Sequence, residues 1–229
     1  MLEILFEDNH IVIINKRSGD ITQGDKTGDS PIGEEVKLYL KEKFDKPGKV
    51  FLGVVHRLDR PVSGILMFSR TSKSLERLSK LFREKEIQKT YWAIVEKSPE
   101  LPENNLVDYL AKKADQNKSY VVYEKHPGAK KASLTYRVLA TSERYTLLEV
   151  DLHSGRHHQI RVQLSNIGCI IKGDLKYGAK RSNADGSISL HARKIGFEHP
   201  VSKAYIEVTA PCPAHDALWS FFEKQVEIR

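Results

Sequence analysis

Short apolar and polar blocks alternate along this chain, and their periods predict strands and helices in mixed order. Ile4-Leu5-Phe6 and Ile11-Val12-Ile13-Ile14 flank the polar Glu7-Asp8-Asn9-His10, the pattern of a β-hairpin. Gly24 through Asp29 is polar and reads as a loop. From Ser30-Pro31 the period becomes helical: Ile32, Val36, Tyr39 and Leu40 line one face. Ser30 is the expected N-cap and Pro31 the first helical residue, with Glu34 and Glu35 in the first turn, where the dipole favours anions. Pro47-Gly48 closes the connection to an apolar strand expected from Val50.

That strand leads into the central stretch of the chain. Val54-Val55 enters it, His56-Arg57-Leu58-Asp59-Arg60-Pro61 interrupts it, and Ile65-Leu66-Met67-Phe68 leaves it. Apolar runs bounded by turn residues read as buried strands, and Pro61 and Gly64 mark the interruption as a loop. Asp59 is therefore expected in a short loop between two core strands, with Arg57 and Arg60 beside it. Loops carried on rigid strands often hold chemistry. The same residues are also the ordinary makeup of an inert surface ion pair.

A second helix is expected from Ser72 to about Lys85, with Leu75, Leu78 and Phe82 inward, and a strand over Gln88–Val95. Ser98 to Asn105 reads as a surface loop. Leu106–Leu110, Tyr120–Tyr123, Ser133–Ala140 and Tyr145–Leu152 then suggest an antiparallel sheet. After Gly155 a short helix follows, with Ile160, Leu164 and Ile167 inward and Gly168 as its stop. His157 and Arg161, four apart, share a face of it. A strand at Ala204–Thr209 and a helix from Ala217 to Val226, with Leu218, Phe221 and Phe222 inward, end the chain.

Composition narrows the function. A chain of 229 residues, 40% hydrophobic and 29% charged, can bury a core as one large domain or two packed lobes. No apolar run reaches membrane-spanning length and the N-terminus lacks a signal pattern, so a cytoplasmic location is expected. Cys169 and Cys212 are too few for a disulfide framework and are read as free thiols. His153, His157, His158 and His191 have no Cys or carboxylate at a recognised ligand spacing, so no metal is expected. No Gly-rich phosphate loop suggests a nucleotide cofactor. A net charge of +7 favours a polyanionic partner. No long basic amphipathic stretch points to a membrane surface instead.

Several stretches resemble one family. His56-Arg57-Leu58-Asp59-Arg60, followed by Ser63-Gly64, resembles the catalytic loop of the RluA-type RNA pseudouridine synthases. Asn15-Lys16-Arg17-Ser18-Gly19 resembles that family's Asn-Lys-Pro-x-Gly segment, with Arg17 where proline is usual. Lys89-Thr90-Tyr91-Trp92-Ala93-Ile94-Val95 is similar to its tyrosine motif. Gly155-Arg156-His157-His158-Gln159-Ile160-Arg161 resembles Gly-Arg-Thr-His-Gln-Ile-Arg, with His157 in place of threonine. Gly173-Asp174-Leu175-Lys176-Tyr177-Gly178 and the stretch from Leu190 to Pro200 match two further elements. The resemblance runs from about residue 2 to residue 211.

The resemblance implies an α+β fold: a mixed, largely antiparallel central sheet with flanking helices and a central RNA-binding cleft. It implies a single catalytic domain over 1–229, without the S4-like N-terminal domain that family members often carry. The implied reaction is isomerisation of uridine to pseudouridine in RNA, with no metal and no cofactor. Asp59 takes the central role, as nucleophile or in glycal formation. Arg161 is its partner, holding the carboxylate charged and oriented. Tyr91 stacks on the uracil and helps remove the C5 proton. The target nucleotide must be flipped out. Arg57 would fill the space it leaves or hold a flanking phosphate, and Arg60 would hold phosphate or brace the loop. Lys16, Arg156 and His157 are further expected RNA contacts. The expected partner is structured RNA, ribosomal RNA of the large subunit ahead of transfer RNA, for an enzyme acting as a monomer. Two alternatives stay open: a catalytically silent RNA-binding protein, and an N-glycosylase acting on the same bond.

Overall fold

The computed structural model describes residues 2–24 and 28–228. Of the loop expected from Gly24 to Asp29, residues 25–27 lie outside the described residues. Strands β1 (Ile4–Glu7) and β2 (Ile11–Lys16) form the expected antiparallel hairpin. Its turn is closed by Asp8, whose Oδ1 accepts from the N–H groups of His10 and Ile11, each at 2.7 Å.

Helix α1 (Ile32–Lys43) starts one residue later than expected. Pro31, with ψ 143°, is the N-cap, and no side chain caps the helix, so Ser30 does not have that role. The Ile32 N–H is satisfied instead by Ile21 O at 2.9 Å. Strand β3 (Gly53–Val54) has only two residues, so the strand expected from Val50 shrinks to a short bridge on β4 (Ser63–Ser69), which is buried throughout. Helix α2 (Ser72–Glu84) is capped by Thr71, whose Oγ1 accepts from the Ser74 N–H at 3.1 Å.

Five strands follow: β5 (Gln88–Val95), β6 (Glu103–Lys113), β7 (Lys118–Val122), β8 (Lys130–Thr141) and β9 (Thr146–Leu152). β6 takes in residues from Glu103 onward that the polar sequence suggested were loop. Helix α3 (Gln159–Asn166), a 3-10 turn at Leu175–Tyr177, β10 (Leu190–Glu198), β11 (Tyr205–Thr209) and helix α4 (Ala217–Glu227) complete the order.

The chain divides into two compact units. One runs to Ile87 and resumes from Ala192 to Pro211; the other holds Gln88–His191 and the chain from Cys212. In the first unit β4 lies between β2 and β10, with β1 beyond β2, β3 on β4 and β11 on β10. Gly64 makes the β4–β10 approach possible. Its φ is +107°, and a Cβ there would lie 2.4 Å from the Ala192 carbonyl oxygen. His199 fixes the turn after β10: its Nδ1 accepts from the Ser202 N–H at 2.9 Å, and its Nε2 lies 2.8 Å from Asp8 Oδ2.

In the second unit the strand order is β5-β9-β8-β6-β7, antiparallel at every pairing. Register sorts the two faces. Tyr91, Val150 and Tyr136 lie in one cross-strand row, and Trp92 and Glu149 in the next. The Trp92 face carries α4, in a core of Trp92, Ile94, Leu147, Trp219 and Phe222. Trp219 therefore takes the inward place expected of Phe221, which is 42% exposed. Ile167, expected inward, is the C-cap of α3 and is partly exposed. α3 packs on the other face, where Gln163 Nε2 donates to Asp108 Oδ2 at 2.7 Å.

Candidate active site

The sequence-predicted residues fall into two groups, one in each unit. In the first unit Asp59 is half-buried in the loop between β3 and β4. The main chain on both sides of it is pinned. The buried Thr22 hydroxyl donates to Leu58 O at 3.2 Å and accepts from the Leu58 N–H at 3.3 Å. Arg60 O accepts from the Gly19 N–H at 2.8 Å, and a turn bond runs from the Val62 N–H to Asp59 O at 3.1 Å. Further along the loop, His56 stacks on Phe82, and its Nε2 accepts from the Met67 N–H at 2.9 Å. An imidazole used as an acceptor in this way anchors the loop to β4.

Lys16 differs from its expected role. It is 1% exposed, and its ammonium donates to the carbonyls of Arg17, Asp20 and Arg60 at 2.8, 2.8 and 3.3 Å. A group so enclosed cannot reach an RNA phosphate; it ties the 17–20 turn to the Asp59 loop. Burial lowers its pKa to about 8, against the opposing pull of Asp20 and Asp59. Arg17, where proline is usual, pairs with Asp20 at 2.9 Å and with Glu35 of α1 at 2.8 Å. Arg60 pairs with Asp29 at 2.6 Å, the bracing role. Arg57 is exposed and donates to Gln23 at 3.3 Å.

In the second unit Tyr91, on β5, is 9% exposed and occupies the sheet face that carries α3. Arg161, on α3, is 5% exposed. Its Nε and Nη2 donate to the two carboxylate oxygens of Asp174 at 2.7 and 2.8 Å, a bidentate fork. The Tyr177 ring centroid lies 5.2 Å from the guanidinium carbon. The fork fixes the orientation of the guanidinium plane on α3. Tyr177 is itself held: its hydroxyl accepts from the Ser119 N–H at 3.0 Å and lies 2.9 Å from His158 Nδ1. Burial, and next the Arg161 charge, push the His158 pKa down to about 2, so this imidazole is neutral.

His157 stacks on His158 with centroids 3.8 Å apart, and its Nδ1 lies 2.8 Å from Ser119 Oγ. It precedes α3 and so is not on the helical face expected for it. Arg156 is exposed, with its Nε on Lys131 O at 3.0 Å. Two buried glutamines seat the helix. Gln159 bonds Ser154, Arg156 and Ser133, and passes a hydrogen bond to Gln163 at 3.0 Å. Gln159, Gln163, Asp174 and Tyr177 received no roles from sequence reasoning. A pair of glutamines at helical spacing in an otherwise apolar stripe was the available signal. Among the described residues no group of three or more His, Cys, Asp or Glu side chains is placed to hold a metal ion. No helix among them is long and apolar enough to cross a membrane.

Residues 10–166 match the family model described as RNA pseudouridylate synthase. The chain is 33% identical over 218 residues to ribosomal large subunit pseudouridine synthase C of Vibrio cholerae, covering 93% of this chain and 66% of that protein. It is 30% identical over 222 residues to ribosomal large subunit pseudouridine synthase D of Zymomonas mobilis, covering 93% and 69%. The chain thus spans about two thirds of the length of these curated relatives. Among solved structures, human RNA pseudouridylate synthase domain containing 4 matches with a TM-score of 0.79 at 22% identity, covering 98% of this chain and 93% of that one. At that identity the likeness concerns the fold.

Proposed function

Since the chain belongs to the RNA pseudouridylate synthase family, we propose that it isomerises uridine to pseudouridine in structured RNA, with Asp59, Tyr91 and Arg161 as the reacting groups. The reaction breaks the N1–C1′ bond, turns the base and joins C5 to C1′; the C5 proton leaves and N1 gains one. Nothing is oxidised and no external group is consumed. A carboxylate, a base and a means of holding the flipped nucleotide suffice.

The observation that carries the reading is the pinning of Leu58 and Arg60 on either side of Asp59. A carboxylate presented on a loop fixed at both flanking residues is pre-organised, which reduces the ordering needed to reach the reactive geometry. Arg161, locked in orientation by Asp174, takes the role of holding the reacting carboxylate charged and oriented. Tyr91 offers an aromatic face and a hydroxyl. Arg57, exposed beside Asp59, fills the space left by the flipped nucleotide or holds a flanking phosphate, and Arg156 contacts the RNA.

Ribosomal RNA of the large subunit is the preferred substrate. The names of both relatives support it over transfer RNA. The enzyme works as a cytoplasmic monomer without an obligate protein partner.

The test uses purified protein and an unmodified transcript of large-subunit ribosomal RNA. Wild type should form pseudouridine and release tritium from C5-labelled uridine. Asp59→Asn, nearly isosteric, should lose turnover and keep RNA binding. Pseudouridine made by pure Asp59→Asn protein would falsify the assignment. Free uracil as the product would favour the glycosylase reading, and binding without chemistry by wild type would favour the silent one.

A further inference from the structure

The sheet of the second unit is covered unevenly. On the face of Trp92, helix α4 seals β5 and β9 and reaches β8 at Ala140. At the β6–β7 end that same face is bare. The strand register puts Lys113 directly across from Lys118, Tyr120 on the next row of that face, and Tyr109 between Val122 and Lys131. Alternate residues behave oppositely: Leu110, Ser119 and Val121 turn inward toward α3. The bare face is therefore built by a strict two-residue period and is not a disordered fringe.

Its chemistry is basic and aromatic together. Tyr120 is 37% exposed, and the Lys118 ammonium lies 5.2 Å from its ring centroid. Lys113, Lys118 and Lys131 take part in no ion pair among the described residues. Two lysines directly opposite on a ladder repel each other. An anion laid along the strands would offset that repulsion. Alternating cations and rings on a flat sheet are what unpaired nucleotides require, since phosphates take the charges and bases stack on the rings.

We propose that this face binds a second segment of the substrate RNA, unpaired and separate from the segment holding the target uridine. The proposal rests on the reading of the protein as an RNA enzyme. Tyr120, Tyr109 and Lys113 lie on the opposite face of the sheet from Tyr91, and only the Lys118 ammonium, at the β7 edge, also reaches the Tyr177 ring, so the face serves a large folded RNA rather than a short stem-loop.

The probe is a 4-thiouridine-substituted transcript of large-subunit ribosomal RNA. On irradiation, wild type should crosslink within 118–122. The variant Lys113→Gln/Lys118→Gln/Tyr120→Ala should bind the transcript about tenfold more weakly, with a shallower salt dependence. Its loss should fall on KM and not on kcat. Because Lys118 also lies near the buried Tyr177 ring, the charge-only variant Lys113→Gln/Lys131→Gln guards against a folding defect, and it should weaken binding in the same direction. Wild-type affinity in both variants, or crosslinks absent from this face, overturns the proposal and leaves the face to a protein partner or to solvent. Crosslinks here without pseudouridine formation by wild type would sink the catalytic reading and leave this surface standing.

Discussion

At position 16 a lysine is enclosed so fully that its charge is costly, and burial brings its pKa to about 8 from an ordinary 10.5. Between those two values the unfolded chain holds a proton that the folded one has released. Stability from this group therefore rises with pH across that window, and below about pH 8 the full cost is present. Relative to Lys16→Met, wild type should gain up to about 3 kcal/mol between pH 7.5 and 10.5 in urea unfolding. The Lys16 side-chain carbon resonance should titrate near pH 8, and a midpoint above 10 would contradict this account. Asp174 is the opposite case, a buried anion matched by a fork. Asp174→Asn takes the bidentate carboxylate from a buried guanidinium, so a loss of about 3–5 kcal/mol is expected in denaturant unfolding, together with most of the activity. Sequence reasoning brought out Asp59, Tyr91 and Arg161 because each stands in a short patterned stretch. It misjudged Lys16 because a basic turn looks solvated until its carbonyl partners are seen. It marked the Gly173–Gly178 stretch but gave Asp174 no role, because thirteen residues separate it from Arg161 and nothing in the stretch says which cation its carboxylate meets.

Strand β4 explains why some elements were easier to read than others. Its centre, Ile65-Leu66-Met67-Phe68, is a continuous apolar run and all seven residues are buried, so the strand was legible. Its predecessor β3 was overestimated, since Val50 to Leu52 carry apolar side chains but make no ladder. Helix α1 shifted by one residue because Pro31 is extended, and a distant carbonyl, Ile21 O, takes the place of a side-chain cap. Such partners are not encoded nearby. The glycine that follows the Asp59 loop has a clear mechanical reason. Gly64→Ala forces a Cβ against the Ala192 backbone at a φ that L-residues avoid. It should cost more than about 3 kcal/mol, or prevent folding, as read by thermal unfolding. A melting temperature within two degrees of wild type, on the order of half a kcal/mol for a chain of this size, would show that β4 and β10 can part more easily than the contact suggests.

The first unit is written in two pieces, with residues 88–191 between them. A ribosome delivers the chain from its N-terminus, so β4 is made long before β10 exists to pair with it. During that interval the β4 edge destined for β10 is an open ladder of N–H and C=O groups on one of the most apolar segments of the protein. Pairings between segments so far apart in sequence are also the slow ones to form. Synthesis therefore carries a period of vulnerability that ends only after Pro211 has emerged. Stalled nascent chains offer a direct view of it. A chain halted with residue 191 just outside the tunnel should be cut readily by protease within 1–87, while one halted with 211 outside should resist. Equal resistance at both lengths would mean that the β-hairpin and its two helices close without their last strands. If the difference is found, chaperone demand for this protein is set by the time taken to translate the intervening hundred or so residues, and codon choice within that insert becomes a determinant of how much active protein a cell obtains.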